Sequence, residues 1–175
     1  MKFHLFPLCM AAIISGCSAP ISTECMYKAE IFPSISPVNY KLEIFVNNTN
    51  EGTIYFDVLG KNGKTLYRYK NSTDSIDKSI CNDIYHMLNY KYAEIDRREF
   101  VLDSTNIEIK LKYNGINKFY RSSNIYLVGP ESKKTDKLLE YSYILSSKFV
   151  PSDFRPTDAA WQGLPKEIER IVELR

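Results

Sequence analysis

The feature that most constrains the fold is a strict alternation of apolar and polar residues in two segments, 38–44 and 107–113. The apolar positions are Val38, Tyr40, Leu42 and Ile44, continued by Val46, in the first segment, and Ile107, Ile109, Leu111 and Tyr113 in the second. A period of two is typical of a half-buried β-strand. Because antiparallel sheets can leave one face in water, we expect an antiparallel sheet with one solvated face.

Weaker patterns predict the remaining elements. Further strands are expected at 54–58, 65–70, 100–102 and 118–128. The pair Asn62-Gly63 is favoured in tight hairpins. Helical spacing of apolar residues predicts a helix capped by Ser72, Thr73 or Asp74, and a second helix over 134–148. The predicted order is a βββα–βββα near-repeat, and the fold class is α+β with the helices on the apolar face of the sheet.

The N-terminal segment has the parts of an export signal. Lys2 provides a basic start, Leu5 to Ile14 form a short apolar run, and Ile14-Ser15-Gly16-Cys17 follows. This tetrapeptide resembles the lipobox of bacterial lipoprotein signal peptides. The alternative is an ordinary secretory signal cut after Ala19, which would place Pro20 just after the cut, where signal peptidases disfavour it.

The resemblance implies a membrane anchor. In such lipoproteins the thiol of the cysteine, here Cys17, receives a diacylglycerol, and acyl chains such as palmitate hold the protein on the membrane. Ser18, rather than aspartate, follows the cysteine, which in this class points to the outer membrane. The implied location is the cell outer membrane with the domain facing the periplasm, and exposure at the cell surface stays open.

Composition divides the chain into four parts. These are a signal peptide at 1–16, a lipidated cysteine and tether arm at 17–37, an α+β domain at 38–150, and an irregular segment with a short helix at 151–175, packed on the domain. The formal net charge of +2 gives no electrostatic case for a nucleic-acid partner.

Cysteine usage agrees with export. Cys9 leaves with the signal peptide and Cys17 is modified, so Cys25 and Cys81 remain. In an oxidising compartment an isolated pair predicts a disulfide. The bridge would stabilise the fold by about 2–4 kcal/mol. The alternative is two free, buried thiols.

No catalytic signature is visible in the sequence. His86 is the one histidine after the signal peptide, and no nucleophile lies beside it in sequence. No metal-ligand cluster, nucleotide loop or cofactor motif occurs. Carboxylate pairs that could serve a hydrolase are Asp153 with Asp158, and Asp96 with Glu99. We therefore predict no cofactor, no metal and no enzyme activity.

The 13 tyrosines indicate the one candidate binding surface. If the strands pair, Tyr55, Tyr67 and Tyr69 would form an aromatic patch beside Phe45 on the outer sheet face, suited to recognition. Ordinary cross-strand pairing is the alternative. Trp161 is either a docking anchor, together with Phe154, or part of a lid on the core.

Three functions are compatible with these features. The first is a non-catalytic outer-membrane lipoprotein that binds a periplasmic protein, as an envelope accessory factor or as an immunity-type inhibitor of an envelope-targeted toxin. The second is an envelope hydrolase acting on peptidoglycan or lipid. The third is a small-ligand or lipid carrier, which would require an apolar cavity between sheet and helices. We favour the first.

Overall fold

A computed structural model describes residues 23–91, 105–122 and 130–173. The strands are β1 (Thr23–Phe32), β2 (Val38–Asn47), β3 (Gly52–Gly60), β4 (Thr65–Thr73), β5 (Asn106–Tyr113) and β6 (Ile116–Arg121). The helices are α1 (Ser79–Asn89), α2 (Pro130–Phe149) and α3 (Lys166–Glu173), with a single 3-10 turn at Ser152–Phe154. The strands form one antiparallel sheet in the order β4-β3-β2-β1-β5-β6. The predicted α+β class with an antiparallel sheet is confirmed.

The alternation predicted from the sequence divides the sheet into an inner and an outer face. Inner-face side chains from β1, β2, β3 and β5 are buried together with residues of α1 and α2. The largest fully buried side chains on this face are Tyr27, Tyr40, Phe56, Leu42, Ile44 and Ile54. The core therefore lies between one sheet face and the helices. Among the described residues, no helix is long and apolar enough to cross a bilayer.

The interpretation of residues 18–37 as a tether arm is wrong for Thr23–Phe32. These residues form β1, which lies inside the sheet between β2 and β5. The inward positions Cys25, Tyr27, Ala29 and Ile31 are buried. The period-two signal was present, but the nearby prolines and the small Ala29 obscured it. Fewer residues, 17–22, are therefore left for the predicted tether.

The predicted caps of the first helix are also wrong. β4 continues to Thr73, and α1 begins only at Ser79, where the Asp77 carboxylate accepts a hydrogen bond from the Ser79 amide at 2.8 Å. Ile76 instead packs against Gly52, where a Cβ atom would collide with its side chain. The helix therefore begins after Ile76, whose side chain is held by tertiary packing.

Two contacts fix the helices on the sheet. The Cys25–Cys81 disulfide joins β1 to α1, with the two Cα atoms 6.2 Å apart. The Tyr27 hydroxyl lies 2.7 Å from the Ser142 hydroxyl, which donates to the Leu138 carbonyl at 2.6 Å. Burial raises the pKa of Tyr27, so this phenol stays neutral. Because the Ser142 hydroxyl donates its proton to Leu138, the Tyr27 hydroxyl is the donor to Ser142. The disulfide thus attaches α1 to β1, and this hydrogen bond attaches α2 to β1.

Part of the predicted second half lies outside the described residues. The strands at 107–113 and at the start of 118–128 correspond to β5 and β6, and the second helix corresponds to α2. The strand expected at 100–102 is not among the described residues. The first half contains four strands rather than three because β1 precedes it. The near-repeat stays a prediction.

Candidate binding surface on the outer sheet face

The outer face of the sheet presents rows of charged side chains that cross all six strands. One row, read from β4 to β6, consists of Arg68, Asp57, Lys41, Glu30, Glu108 and Arg121. The next row consists of Lys70, Tyr55, Glu43, Lys28, Lys110 and Phe119. Antiparallel registration brings these side chains opposite one another, so that basic and acidic groups alternate in several places.

Asp57 is the centre of this surface. Its side chain is 1% exposed although it belongs to the solvent-facing side of β3. The Arg68 guanidinium holds both carboxylate oxygens, at 2.7 and 2.9 Å, and the Lys41 ammonium lies 3.3 Å away. Burial alone would raise the pKa of Asp57, but hydrogen bonds and charges from Arg68 and Lys41 outweigh burial and hold the pKa below its usual value. Asp57 is therefore ionised at neutral pH.

The ion pairs continue from Asp57 towards β1. Lys41 lies 3.2 Å from Glu43, and Lys28 lies 2.7 Å from Glu30 and 3.9 Å from Glu43. The hydrogen bond to Glu30 raises the pKa of Lys28, reinforced by the charges of Glu30 and Glu43. These side chains are only 18–27% exposed, so neighbouring groups hold them in place. The result is a connected and pre-oriented set of charges on the middle strands.

An aromatic pair borders the charged network. The rings of Phe45 and Tyr55 meet edge to face, with centroids 6.0 Å apart. Arg68 and Lys70 approach the Tyr55 ring at 6.0 and 5.7 Å. Such cation–π contacts restrain the ring and the cations together. Phe45 and Tyr55 thus lie on the outer face as predicted, surrounded by charged groups.

The prediction that Tyr67 and Tyr69 join this patch is wrong. β4 pairs with β3 so that Tyr67 lies opposite Val58 and Tyr69 lies opposite Phe56, which places both tyrosines on the inner face. There Phe154 stacks on them, with ring centroids at 4.6 Å from Tyr67 and 5.8 Å from Tyr69. The sequence shows that the two tyrosines share a face, but the register and a bulge near Leu59 decide which face.

Trp161 is not part of a binding surface. It is fully buried, packs against Tyr40 and Phe56 at centroid distances of 5.2 and 6.4 Å, and donates from Nε1 to the Leu139 carbonyl at 3.3 Å. The alternative that Trp161 is a docking anchor is therefore wrong. It is also wrong for Phe154, because the Phe154 ring stacks on Tyr67 and Tyr69. The segment after α2 contributes to the core.

The cations that organise the surface were not predicted; they are Arg68 and Lys70 on β4 and Lys41 on β2. Their signal was available, because each occupies a polar position opposite an acidic or aromatic residue once the hairpins are paired. What was lacking was the register that brings Arg68 and Lys41 to Asp57.

Asp57→Asn is expected to lower the free energy of unfolding at pH 7 by about 1–3 kcal/mol, because charge-assisted hydrogen bonds to Arg68 and Lys41 are lost. Since the folded pKa is depressed, the stabilisation is present above the unfolded pKa of about 3.9 and is lost as the pH falls through the folded value. Urea unfolding between pH 7 and pH 2 checks this, as the gap between parent and variant should close in acid.

Asp153→Asn is the matched control for this experiment. Asp153 is exposed and lies 3.5 Å from the equally exposed Lys166, a pair of the kind that contributes little to stability. Its unfolding curve should follow that of the parent at each pH. A gap between parent and Asp57→Asn that does not narrow as the pH falls would contradict the ion-pair explanation.

The groups considered for catalysis lie apart from the charged surface. His86 is exposed on α1, and its ring contacts Tyr85. Asp153 and Asp158 are exposed in the segment after α2. Asp96 and Glu99 lie outside the described residues. Within the described ranges, no group of three or more His, Cys, Asp or Glu side chains is arranged to hold a metal ion.

Large, fully buried side chains fill the space between the sheet and the helices where a carrier would hold its ligand. They are Trp161, Tyr27, Tyr40 and Phe56. An open groove of about 360 Å³ lies elsewhere, at the end of β2, β3 and β4. It is lined by polar residues of the β2–β3 turn and of the end of β4, together with Phe45 and Val46. This groove is open to solvent, whereas a carrier encloses most of its ligand.

Cys17 lies outside the described residues, so its lipidation stays a prediction. The predicted disulfide between Cys25 and Cys81 is present. No protein-family model, no curated protein and no solved structure matches this chain.

Proposed function

We propose that this protein is a non-catalytic, lipid-anchored protein of the cell outer membrane whose periplasmic domain binds another protein through the outer sheet face. The observation that carries the proposal is the set of pre-oriented charges around Asp57, bordered by Tyr55 and Phe45. Ordered charged and aromatic groups on a flat surface favour recognition, because little side-chain entropy is lost when a partner binds.

The dimensions of the face fit a protein partner. The four strands β4, β3, β2 and β1, about 4.8 Å apart, give a width of about 14 Å, and nine or ten residues at about 3.4 Å per residue give a length of about 30 Å. The resulting area of about 430 Å² is about half of the roughly 800 Å² that each protein contributes to a standard interface, as in smaller, transient complexes. A small ligand would require a concave site instead.

The alternating charges also indicate what the partner presents. Arg68 and Lys70 on the edge strand offer positive charge beside Tyr55, and Glu43 offers negative charge one strand further in. A partner with acidic groups facing β4 and a basic group facing Glu43 would match this arrangement. An envelope accessory factor and an immunity-type inhibitor of a toxin would both use such a face, and the partner's identity distinguishes them.

Site-specific photo-crosslinking tests the proposal. A benzoylphenylalanine at position 55 of the full-length protein, in the cells that produce it, is expected to give an adduct of one defined mass with a protein. The matched control places the same group at Ile144, which is 52% exposed on α2, on the opposite side of the molecule. Lys70→Glu, which removes a cation beside Tyr55, should reduce the adduct at position 55.

Mass spectrometry of the adduct names the partner. Equal adducts at positions 55 and 144 would contradict the choice of the outer face. Recovery of glycan or lipid, with no protein adduct at either position, would contradict the protein-binding function itself.

A further inference from the structure

The β5–β6 hairpin exposes apolar side chains among basic ones. Ile116 is 41% and Phe119 is 60% exposed, although both belong to a β-strand. The basic residues of the hairpin are Lys110, Lys112, Lys118 and Arg121, and its one acidic residue is Glu108. Lys110 lies 3.3 Å and Arg121 lies 3.9 Å from Glu108, so a single carboxylate is shared by two of the four cations.

Apolar and basic groups are in contact on the outer face of the hairpin. The Lys110 ammonium lies 5.9 Å from the centre of the Phe119 ring, and Lys112 is exposed two residues along the same strand. On the inner face, the Lys118 ammonium lies 5.8 Å from the Tyr85 ring. A mixed surface of cations and exposed rings is the composition that sits at the level of phospholipid headgroups.

The hairpin turn lies at the end of the sheet that is nearest in the chain to the predicted lipid anchor. Cys25 pairs with Tyr113, so the turn at Asn114-Gly115 lies at the end of the sheet where β1 begins. The chain between Cys17 and Thr23 can span at most about 20 Å at ~3.3–3.6 Å per residue. A lipid on Cys17 would therefore hold this end of the sheet near the membrane and raise the effective concentration of headgroups at the hairpin.

We propose that the β5–β6 hairpin is a second membrane contact, which binds anionic phospholipid headgroups through Lys112, Lys110 and Arg121 and inserts Phe119, which lies on the same face of the hairpin, at the interface. This contact rests on the proposed lipid anchor at Cys17. It orients the domain with the β6 edge on the bilayer and leaves the Tyr55 end of the outer face, three to four strands away, open to a protein partner.

Fluorescence quenching in vesicles tests the contact. The full-length, acylated protein with Phe119→Trp is reconstituted into phosphatidylethanolamine–phosphatidylglycerol vesicles whose acyl chains are brominated near the headgroups. Trp161 is fully buried, so it provides a constant background and a check that the fold is retained. Ile144→Trp, exposed on α2, is the matched control. Quenching of Phe119→Trp should exceed that of the control by about twofold or more.

The charge requirement is tested in the same protein. Adding Lys112→Glu, or replacing phosphatidylglycerol by phosphatidylcholine, should reduce the quenching of Phe119→Trp, because headgroup attraction is weakened. Equal quenching at positions 119 and 144 would overturn the contact. Quenching that is insensitive to both charge changes would overturn headgroup binding by the lysines.

The anchor and the contact can fail separately. Intact mass reports whether Cys17 is acylated, independently of fluorescence. An unmodified Cys17 would overturn the lipid anchor and this contact with it. An acylated chain with unquenched Phe119→Trp would overturn the contact alone and leave the proposed anchor and protein-binding face unaffected.

Discussion

Trp161→Ala is expected to lower the free energy of unfolding by about 3–5 kcal/mol, the range for removing a large aromatic side chain from a core. Trp161 is fully buried between Tyr40, Phe56 and Tyr143, and its indole N–H donates to the Leu139 carbonyl. The backbone at this position has a φ of 63°, a left-handed conformation that is unfavourable for a residue with a side chain. Alanine would keep that unfavourable backbone and lose the burial that compensates for it.

Thermal and urea unfolding measure the effect, with a decrease in Tm of about 10 °C or more for a chain of this size. Trp161→Phe is the control, since it retains an aromatic ring and should recover a large part of the loss. A Trp161→Ala protein with an unchanged midpoint would show that the segment after α2 does not contribute to the core.

Removing the Cys25–Cys81 bridge is expected to lower the free energy of unfolding by about 2–4 kcal/mol. The bridge closes a loop with a sequence separation of 56 residues, and the chain-entropy model assigns most of its effect to the unfolded state. Both cysteines are buried, so Cys25→Ala with Cys81→Ala removes the bond with a small change in side-chain volume.

Urea unfolding with and without a reductant checks this expectation. The reduced parent should unfold at a lower urea concentration, close to that of the double alanine variant, and the variant should not respond to the reductant. A parent whose unfolding curve does not change on reduction would contradict a stabilising bridge.

Much of the fold could be predicted because period-two and helical patterns are local properties of the chain. The alternation at β2 and β5 and the apolar spacing in α1 and α2 identified these elements. The disulfide between Cys25 and Cys81 was predicted because an isolated cysteine pair in an oxidising compartment is expected to be bonded. β1 was missed because prolines on both sides outweighed its alternating residues. Its place between β2 and β5 follows from pairing with residues far along the chain, which local patterns do not encode.

The candidate surface was predicted in part for the same reason. Phe45 and Tyr55 were placed correctly on the outer face, whereas Tyr67 and Tyr69 were assigned to the wrong face. Of the two alternatives for Trp161, a docking anchor or part of a lid on the core, the structure shows the second. Arg68 and Lys41 became important only through their shared contact with Asp57. A charged residue shows no such role until its partners across the strands are known.

The sequence by itself determined which residues share a face in the strands that it predicts, such as β2 and β5, and which two cysteines are joined. Tertiary structure decided which faces of neighbouring strands coincide, because a bulge or a shift of one residue moves every side chain of a strand to the opposite side. It also decided that Trp161 fills the core and that Asp57 is buried among cations. Both outcomes depend on contacts between distant segments, which form only when the sheet and the helices pack.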